Sequence, residues 1–231
     1  MAYVGETPWH GLGNQLSPNQ PIEVWAKQAG MDWSIHASPV RFMSSINDGA
    51  EALLSFPEQQ VLYRSDTKAA LSVVSQRYQV VQPRDILEFY RDLTEVSGFT
   101  LETAGVLKGG RKVWALAKTN QSTQLKGSDV FNGYLLLATA CDGTLATTAQ
   151  FTSIRVVCNN TLAVALDNSK GAVKVPHSTT FNAHAVKKQL GISISTWDDF
   201  MYRMKILSER KVNHQDSEKY FARLLSDVNV Q

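Results

Sequence analysis

Apolar and polar residues alternate along several short stretches of the chain, a period-two pattern that is typical of β-strands. In the first third of the sequence the pattern predicts strands over 33–43, 61–63, 70–75 and 78–81. Glycine and proline interrupt residues 1–30, which predicts irregular structure there around one short helix over 22–29.

The middle of the chain predicts an antiparallel sheet built from two hairpins. The predicted strand pairs are 99–107 with 112–118, and 134–140 with 145–151. Gly109 and Gly110 supply the first turn. Asp142-Gly143 supplies the second, because this dipeptide tolerates the positive φ angles of a tight hairpin turn.

Apolar residues at helical spacing predict the remaining elements. Pro83 opens a helix that ends at Gly98, since a first turn does not need the amide that proline lacks. A second helix, over 154–166, is expected on the sheet. The C-terminal part predicts an extended segment over 173–178, then helices over 183–190, 196–208 and 216–228.

These elements define an α+β fold class: an antiparallel β-sheet with hairpins, helices packed on one face, and a helical C-terminal region. We expect an irregular N-terminal segment over 1–35, an α+β core over 36–181 and a helical region over 182–231.

The composition is that of an ordinary globular protein, with 231 residues, 43% hydrophobic and 19% charged. No window is long and apolar enough to cross a bilayer, and the N-terminus lacks the pattern of a signal peptide. Two cysteines do not make a disulfide framework, so we expect Cys141 and Cys158 to be reduced and metal-free, in the host cytoplasm.

Motifs of covalent chemistry are missing from the sequence. It contains no Gly-x-Ser-x-Gly nucleophile turn and no phosphate loop, and its five histidines do not form a paired-ligand motif. The paired acids Asp198 and Asp199 follow Ser195 and Thr196, which indicates a helix start rather than a catalytic pair. We therefore expect a binding protein and not an enzyme, with no catalytic residue, metal or cofactor.

Positive charge is concentrated in residues 103–197, which carry ten basic and three acidic residues, a balance of +7. Such a segment can attract a polyanion if its charges share one face. Lys112, Trp114 and Lys118 have the same parity on a predicted strand, so they would share a face. Cations beside an aromatic ring suit single-stranded nucleic acid. A solvated strand face with one amphipathic tryptophan explains the same pattern.

Three segments resemble signatures of a family of phage- and plasmid-borne proteins that is classed only as a domain of unknown function. They are Gly-Glu-Thr-Pro-Trp-His-Gly-Leu-Gly at 5–13, Tyr-Gln-Val-Val-Gln-Pro at 78–83, and Arg-Val-Val-Cys-Asn-Asn-Thr-Leu at 155–162. The resemblance implies a mobile genetic element and no agreed activity. Because family members tend to continue past the equivalent of Gln231, it also implies that this copy is truncated.

A broader likeness is architectural. Two hairpins followed by a helix across the sheet resemble the core of phage single-strand annealing proteins such as Erf, Red-beta and RecT. This likeness implies single-stranded DNA binding, strand annealing in recombination or replication without a nucleotide cofactor, and homo-oligomers.

The leading hypothesis is therefore a phage or plasmid DNA-metabolism protein that binds single-stranded DNA. Residues expected to contact phosphates are Lys108, Arg111, Lys112, Lys118, Lys126, Arg155, Lys174, Lys187 and Lys188. Residues expected to stack on bases are Trp114 and Tyr134. The alternative is a module that binds a host or phage protein. Its contact surface would be the C-terminal helices with Phe200, Met204, Leu207, Tyr220, Leu224 and Leu225.

Overall fold

The structure is a computed structural model of the chain. It describes residues 1–45, 51–95, 97–124, 130–167, 171–190, 202, 206, 209, 211 and 213–227.

Ten strands, six α-helices and a 3₁₀ helix over Lys108–Gly110 are the main regular elements of the described residues. The strands are β1 Ala2–Val4, β2 Asn14–Leu16, β3 Ile35–Ser45, β4 Glu51–Arg64, β5 Ala70–Ser75, β6 Thr100–Leu107, β7 Lys112–Gln124, β8 Val130–Ala140, β9 Thr147–Thr152 and β10 Val173–Val175. The helices are α1 Ile22–Gln28, α2 Pro83–Glu88, α3 Arg91–Glu95, α4 Asn159–Asp167, α5 Ala183–Gln189 and α6 His214–Asp227. None of these helices combines the length and the apolarity that crossing a membrane requires.

The strands form two sheets. The main sheet has seven strands in the order β10-β9-β8-β7-β6-β1-β2, and the smaller sheet has the order β3-β4-β5. All pairs are antiparallel except β1 with β2. The prediction of an α+β fold with an antiparallel sheet of hairpins is confirmed. The strands β6 to β9 correspond to the four strands that were predicted as two hairpins in the middle of the chain.

Both faces of the main sheet are covered, and alternate residues of β7 show how. Val113 and Ala115 lie in a core with the apolar sides of α1, α2 and α5. Trp114 and Leu116 point the opposite way, into a second core with α4. The prediction that all helices pack on one face needs correction, because α4 covers one face of the sheet and α1, α2 and α5 cover the other. The two-sided burial is visible in β7 and β8, which are apolar at consecutive positions, the pattern of a strand buried on both sides.

The helix that Pro83 opens is interrupted. Gln82 and Asp85 form a capping box, and α2 then ends at Glu88. The amide of Tyr90 bonds to the carbonyl of Leu87, three residues back, which tightens the turn before α3. The buried Tyr90 hydroxyl donates a hydrogen bond to the carbonyl oxygen of Ala115, 2.8 Å away, so this polar group is satisfied within the core.

The helix predicted over 154–166 begins only at Asn159. Residues 154–158 have no regular secondary structure, and the Thr161 hydroxyl accepts hydrogen bonds from the amides of Val157 and Cys158, at 2.9 and 3.0 Å. This side-chain cap replaces the backbone bonds of a first helical turn.

Three more predictions need correction. The N-terminal segment, expected to be irregular, contributes β1 and β2 to one edge of the main sheet. Residues 78–81, predicted as a strand, have no regular structure. Strand β4 is much longer than the predicted 61–63 and pairs with β3 along a long hairpin. The predicted helix over 196–208 falls mostly outside the described residues.

Candidate functional site

Three of the predicted phosphate-binding cations lie together in the tight connection between β6 and β7. Lys108 and Arg111 are exposed, and Lys112 is half-buried at the start of β7. We call Lys108, Arg111 and Lys112 the turn cluster. None of the three forms an ion pair with another described residue. Lys112 is nevertheless close to Asp142. Desolvation raises the pKa of the Asp142 carboxyl, but hydrogen bonds from Thr144 and the charge of Lys112 outweigh it and lower that pKa.

Lys118 lies near the middle of the same strand, β7. It pairs with Thr100 and Tyr134, six positions from Lys112, or about 20 Å along a strand. The sheet face between the two lysines is occupied by the core under α4. No open path therefore joins Lys118 to the turn cluster across this face.

Arg155 is engaged within the fold. Its Nε donates to the Glu102 carboxylate at 2.7 Å, and its Nη2 donates to the Val4 carbonyl at 2.9 Å. Both side chains of the ion pair are mostly buried. The guanidinium therefore joins β1, β6 and the segment before α4, and a phosphate would have to compete with a carboxylate for it.

The remaining predicted cations that the structure describes lie on other elements than β7. Lys187 is paired with Asp92 and lies 5.0 Å from the centre of the Phe89 ring. Lys188 is exposed on α5, and Lys174 lies on the edge strand β10. Lys126 is outside the described residues. The predicted contacts among the described residues thus lie on several elements: the β6–β7 turn, β7, the segment before α4, α5 and β10.

Trp114 and Tyr134 are buried, so the prediction that they stack on bases does not fit the structure. Trp114 is 1% exposed, and its ring packs so closely on Gly105 that an added Cβ would lie 2.6 Å from Cη2. Tyr134 faces the same core from β8. The alternative interpretation of Trp114, an ordinary core residue, matches its position.

Two of the segments that carry the family resemblance meet in space. In the first segment the His10 Nε2 lies 3.2 Å from the Val157 carbonyl oxygen in the third segment, and the Leu12 amide donates to His10 Nδ1. These contacts fix a loop that holds Trp9 80% exposed to solvent. The histidine therefore has a structural role in joining the two segments.

The segment over 78–83 connects the two sheets. The Gln82 side chain bonds both the amide and the carbonyl of Ile35, at 2.7 and 3.0 Å. The Tyr78 ring stacks on His177 at 4.5 Å, and its hydroxyl donates to the Ala140 carbonyl. Burial raises the pKa of Tyr78, so this hydroxyl keeps its proton.

Both cysteines are free thiols in different surroundings. Burial raises the pKa of Cys141 to about 11. Burial acts in the same direction on Cys158, but hydrogen bonds from the Thr161 hydroxyl and amide outweigh it and lower the pKa of that thiol. Among the described residues, no group of three or more His, Cys, Asp and Glu could hold a metal ion.

The most unusual surface is one that the sequence patterns did not single out. Beyond Pro39, strand β3 pairs with β4 as a two-stranded hairpin over residues 40–45 and 51–56, which we call the distal ribbon. Strand β5 pairs only with Gln59–Tyr63 of β4, so no described strand flanks the distal ribbon on either edge.

A pronounced bulge separates the distal ribbon from the rest of the smaller sheet. Pro39 pairs with Gln60, whereas the next residue, Val40, pairs with Phe56, which leaves three residues of β4 without a partner on β3. Bulges of this kind bend a strand and increase its twist. The distal ribbon is therefore set off from the three-stranded part of its sheet.

One side of the distal ribbon is apolar and exposed. The cross-strand pairs Val40–Phe56 and Phe42–Leu54, with Ala52 opposite Ser44, share this side, and we call the five apolar residues the apolar face. Phe42, Leu54 and Phe56 are 46%, 43% and 40% exposed. The apolar residues at 52, 54 and 56 have the period-two spacing of a strand, but Pro57 directly after them argues against a continuous strand in the sequence.

The opposite side of the distal ribbon is mixed. It carries the pairs Arg41–Ser55, Met43–Leu53 and Ser45–Glu51. Arg41 and Glu51 are therefore both kept off the apolar face, which holds no charged residue.

A family described as a domain of unknown function, DUF932, matches residues 70–230, which is more than half of the chain. The chain belongs to this family. No curated protein and no solved structure matches it.

Proposed function

We propose that this protein acts by binding, without covalent chemistry, and that it engages another protein chain through the apolar face of the distal ribbon. The observation that carries the proposal is the exposure of Phe42, Leu54 and Phe56 side by side on one surface. A contiguous exposed apolar patch is typical of an interaction site. A two-stranded ribbon is also marginally stable by itself in water, so a partner that covers it stabilises it.

Charge supports a protein partner over a polyanion at this surface. The described part of the distal ribbon carries Arg41 and Glu51, which cancel, and Glu58 follows in the bulge. A surface that binds nucleic acid neutralises phosphates with an excess of cations. The distal ribbon has no such excess.

The test is site-specific photo-crosslinking in cells, with a benzophenone amino acid in place of Phe42. We expect a crosslinked product of higher mass, because the aromatic ring would lie inside an interface. The matched control carries the same group at Arg41, one residue away on the other side of the strand. Equal products from both positions, or none from position 42, would contradict the proposal.

A second candidate function is favoured by the turn cluster. Lys108, Arg111 and Lys112 bring three cations into five residues, without ion-pair partners among the described residues. We propose on this basis that single-stranded DNA contacts the β6–β7 turn. The setting would be a phage- or plasmid-encoded protein of the host cytoplasm, which the resemblance of its segments supports.

The salt dependence of binding tests this second candidate. Each phosphate neutralised on a single strand contributes about 0.7 to the slope of log affinity against log salt. Replacing all three cations of the turn cluster by alanine should lower the slope by about 2, if each makes a full contact. Lys118→Ala, six positions and about 20 Å along β7 from Lys112, is the control and should leave the slope unchanged. Wild-type protein that shows no binding at low salt removes this candidate.

A further inference from the structure

The apolar face has the properties of a surface that pairs with itself. We propose that its partner is the apolar face of a second copy of this chain, packed against it across a twofold axis. This inference rests on the proposed function, because it names the partner of the same surface. It places the two distal ribbons as the layers of a small four-stranded sandwich, about 10 Å apart.

The absence of charge on this face is the first argument. All five residues of the apolar face are uncharged, and Arg41 and Glu51 project from the other side of the ribbon. Two copies can therefore meet without burying a charge, which would otherwise cost free energy of association. Selection of a different partner commonly uses charges or hydrogen-bonding groups. The apolar face has none, and the small Ser44 opposite Ala52 is the one polar residue among the described residues on this side of the ribbon.

The area of the patch determines how strong the self-pairing is expected to be. With about 200 Å² for a large apolar side chain, the exposed parts of Phe42, Leu54 and Phe56 amount to roughly 260 Å² in each copy. Val40, Ala52 and the ribbon backbone bring two copies to roughly 700 Å² in total, below the 1,200–2,000 Å² of a stable complex. A self-paired ribbon alone therefore gives a weak dimer whose population depends on concentration.

The symmetry of the arrangement makes it sensitive to a single substitution. In a twofold interface the same patch is used on both sides, so one changed residue appears twice. Phe42 lies between Val40 and Ser44 on this side of β3, with Leu54 directly across. Replacing it by serine removes an aromatic ring from each half of the interface.

The experiment compares sedimentation equilibrium of the full chain, of Phe42→Ser and of Met43→Ser, from about 1 μM to about 1 mM. Met43 is the matched control, because it is 59% exposed and lies on the other side of the same strand. We expect a monomer–dimer equilibrium for wild type, a rise of about tenfold or more in the dissociation constant for Phe42→Ser, and a change of less than about twofold for Met43→Ser. Thermal unfolding of each variant at low concentration verifies that the fold is retained.

Three results would overturn the self-pairing. Wild type that stays monomeric over the whole concentration range is one, and equal weakening by both substitutions is another. The third comes from the crosslinker at position 42. A product whose mass is that of two copies of this chain supports self-pairing, whereas a product with a different protein contradicts it and leaves the proposed function standing. No product at all removes the proposed function as well.

Discussion

Single residues of one type have different roles in this chain, and the tryptophans show it best. Trp9 is 80% exposed on a loop that His10 fixes, whereas Trp114 is 1% exposed in the core under α4. Sequence parity placed Trp114 correctly on the face that it shares with Lys112 and Lys118. Parity does not reveal whether a face meets solvent or a helix, because that depends on where α4 packs.

Truncation of Trp114 should therefore affect stability. We expect Trp114→Ala to lower the free energy of unfolding by about 3–5 kcal/mol, because the lost ring leaves a cavity against Gly105 and the second core. Urea unfolding followed by circular dichroism measures the change. Trp9→Ala is the control and should change stability by about 0.5 kcal/mol or less. An unchanged unfolding midpoint for Trp114→Ala would contradict its core position.

The two thiols should react with electrophiles at different rates. Thr161 holds the pKa of Cys158 below its usual value, and burial raises the pKa of Cys141 to about 11. Only the thiolate is nucleophilic, so Cys158 should react at a lower pH than a free cysteine, and Cys141 should stay unreacted until well above pH 9. Peptide mapping after timed iodoacetamide labelling from pH 6 to pH 10 checks this. Faster labelling of Cys141 than of Cys158 in folded protein would contradict it.

At the scale of elements, local patterns predicted hairpins better than they predicted the ends of helices. The strands β6 to β9 follow from alternation and from two glycine turns, which are short-range signals. The start of α4 does not, because it depends on the Thr161 hydroxyl capping Val157 and Cys158. The first part of β4 was missed because Pro57 interrupts its pattern at a bulge, and only pairing with β3 makes residues 51–56 a strand.

Gln82 is a connection between elements whose removal should be measurable. Its side chain bonds both backbone groups of Ile35, and its backbone carbonyl accepts from the Asp85 amide in α2. Gln82→Ala should lower the free energy of unfolding by about 1–3 kcal/mol, since the Ile35 amide loses its acceptor. Gln79→Ala is the matched control, because Gln79 contributes backbone groups to the contact with His177. Equal effects of the two substitutions on the urea midpoint would exclude this role.

At the scale of the whole molecule, charge counted along the sequence did not predict charge in space. The basic excess of residues 103–197 is real, but the fold places the core residues Trp114 and Leu116 between Lys112 and Lys118, and it pairs Arg155 and Lys187 with carboxylates. The apolar face arises from the same long-range organisation, since Phe42 and Leu54 meet only through the β3–β4 register. Both surfaces depend on contacts between distant parts of the chain, which a local pattern does not contain.

Arg155 shows how the whole fold is held together and gives the last prediction. Its guanidinium bonds Glu102 on β6 and the carbonyl of Val4 on β1, so it joins the N-terminal edge of the main sheet to the segment before α4. Arg155→Ala leaves the mostly buried Glu102 carboxylate without its partner, and we expect a loss of about 2–3 kcal/mol in the free energy of unfolding. Hydrogen exchange should become faster in residues 2–16, because β1 loses one of its ties to the sheet. Arg84→Ala is the control, since Arg84 forms an exposed ion pair with Glu88 and should cost less than about 1 kcal/mol. If Arg155 were instead a free phosphate contact, its removal would leave stability and exchange unchanged and would lower the salt dependence of DNA binding, so the same variant separates the two roles.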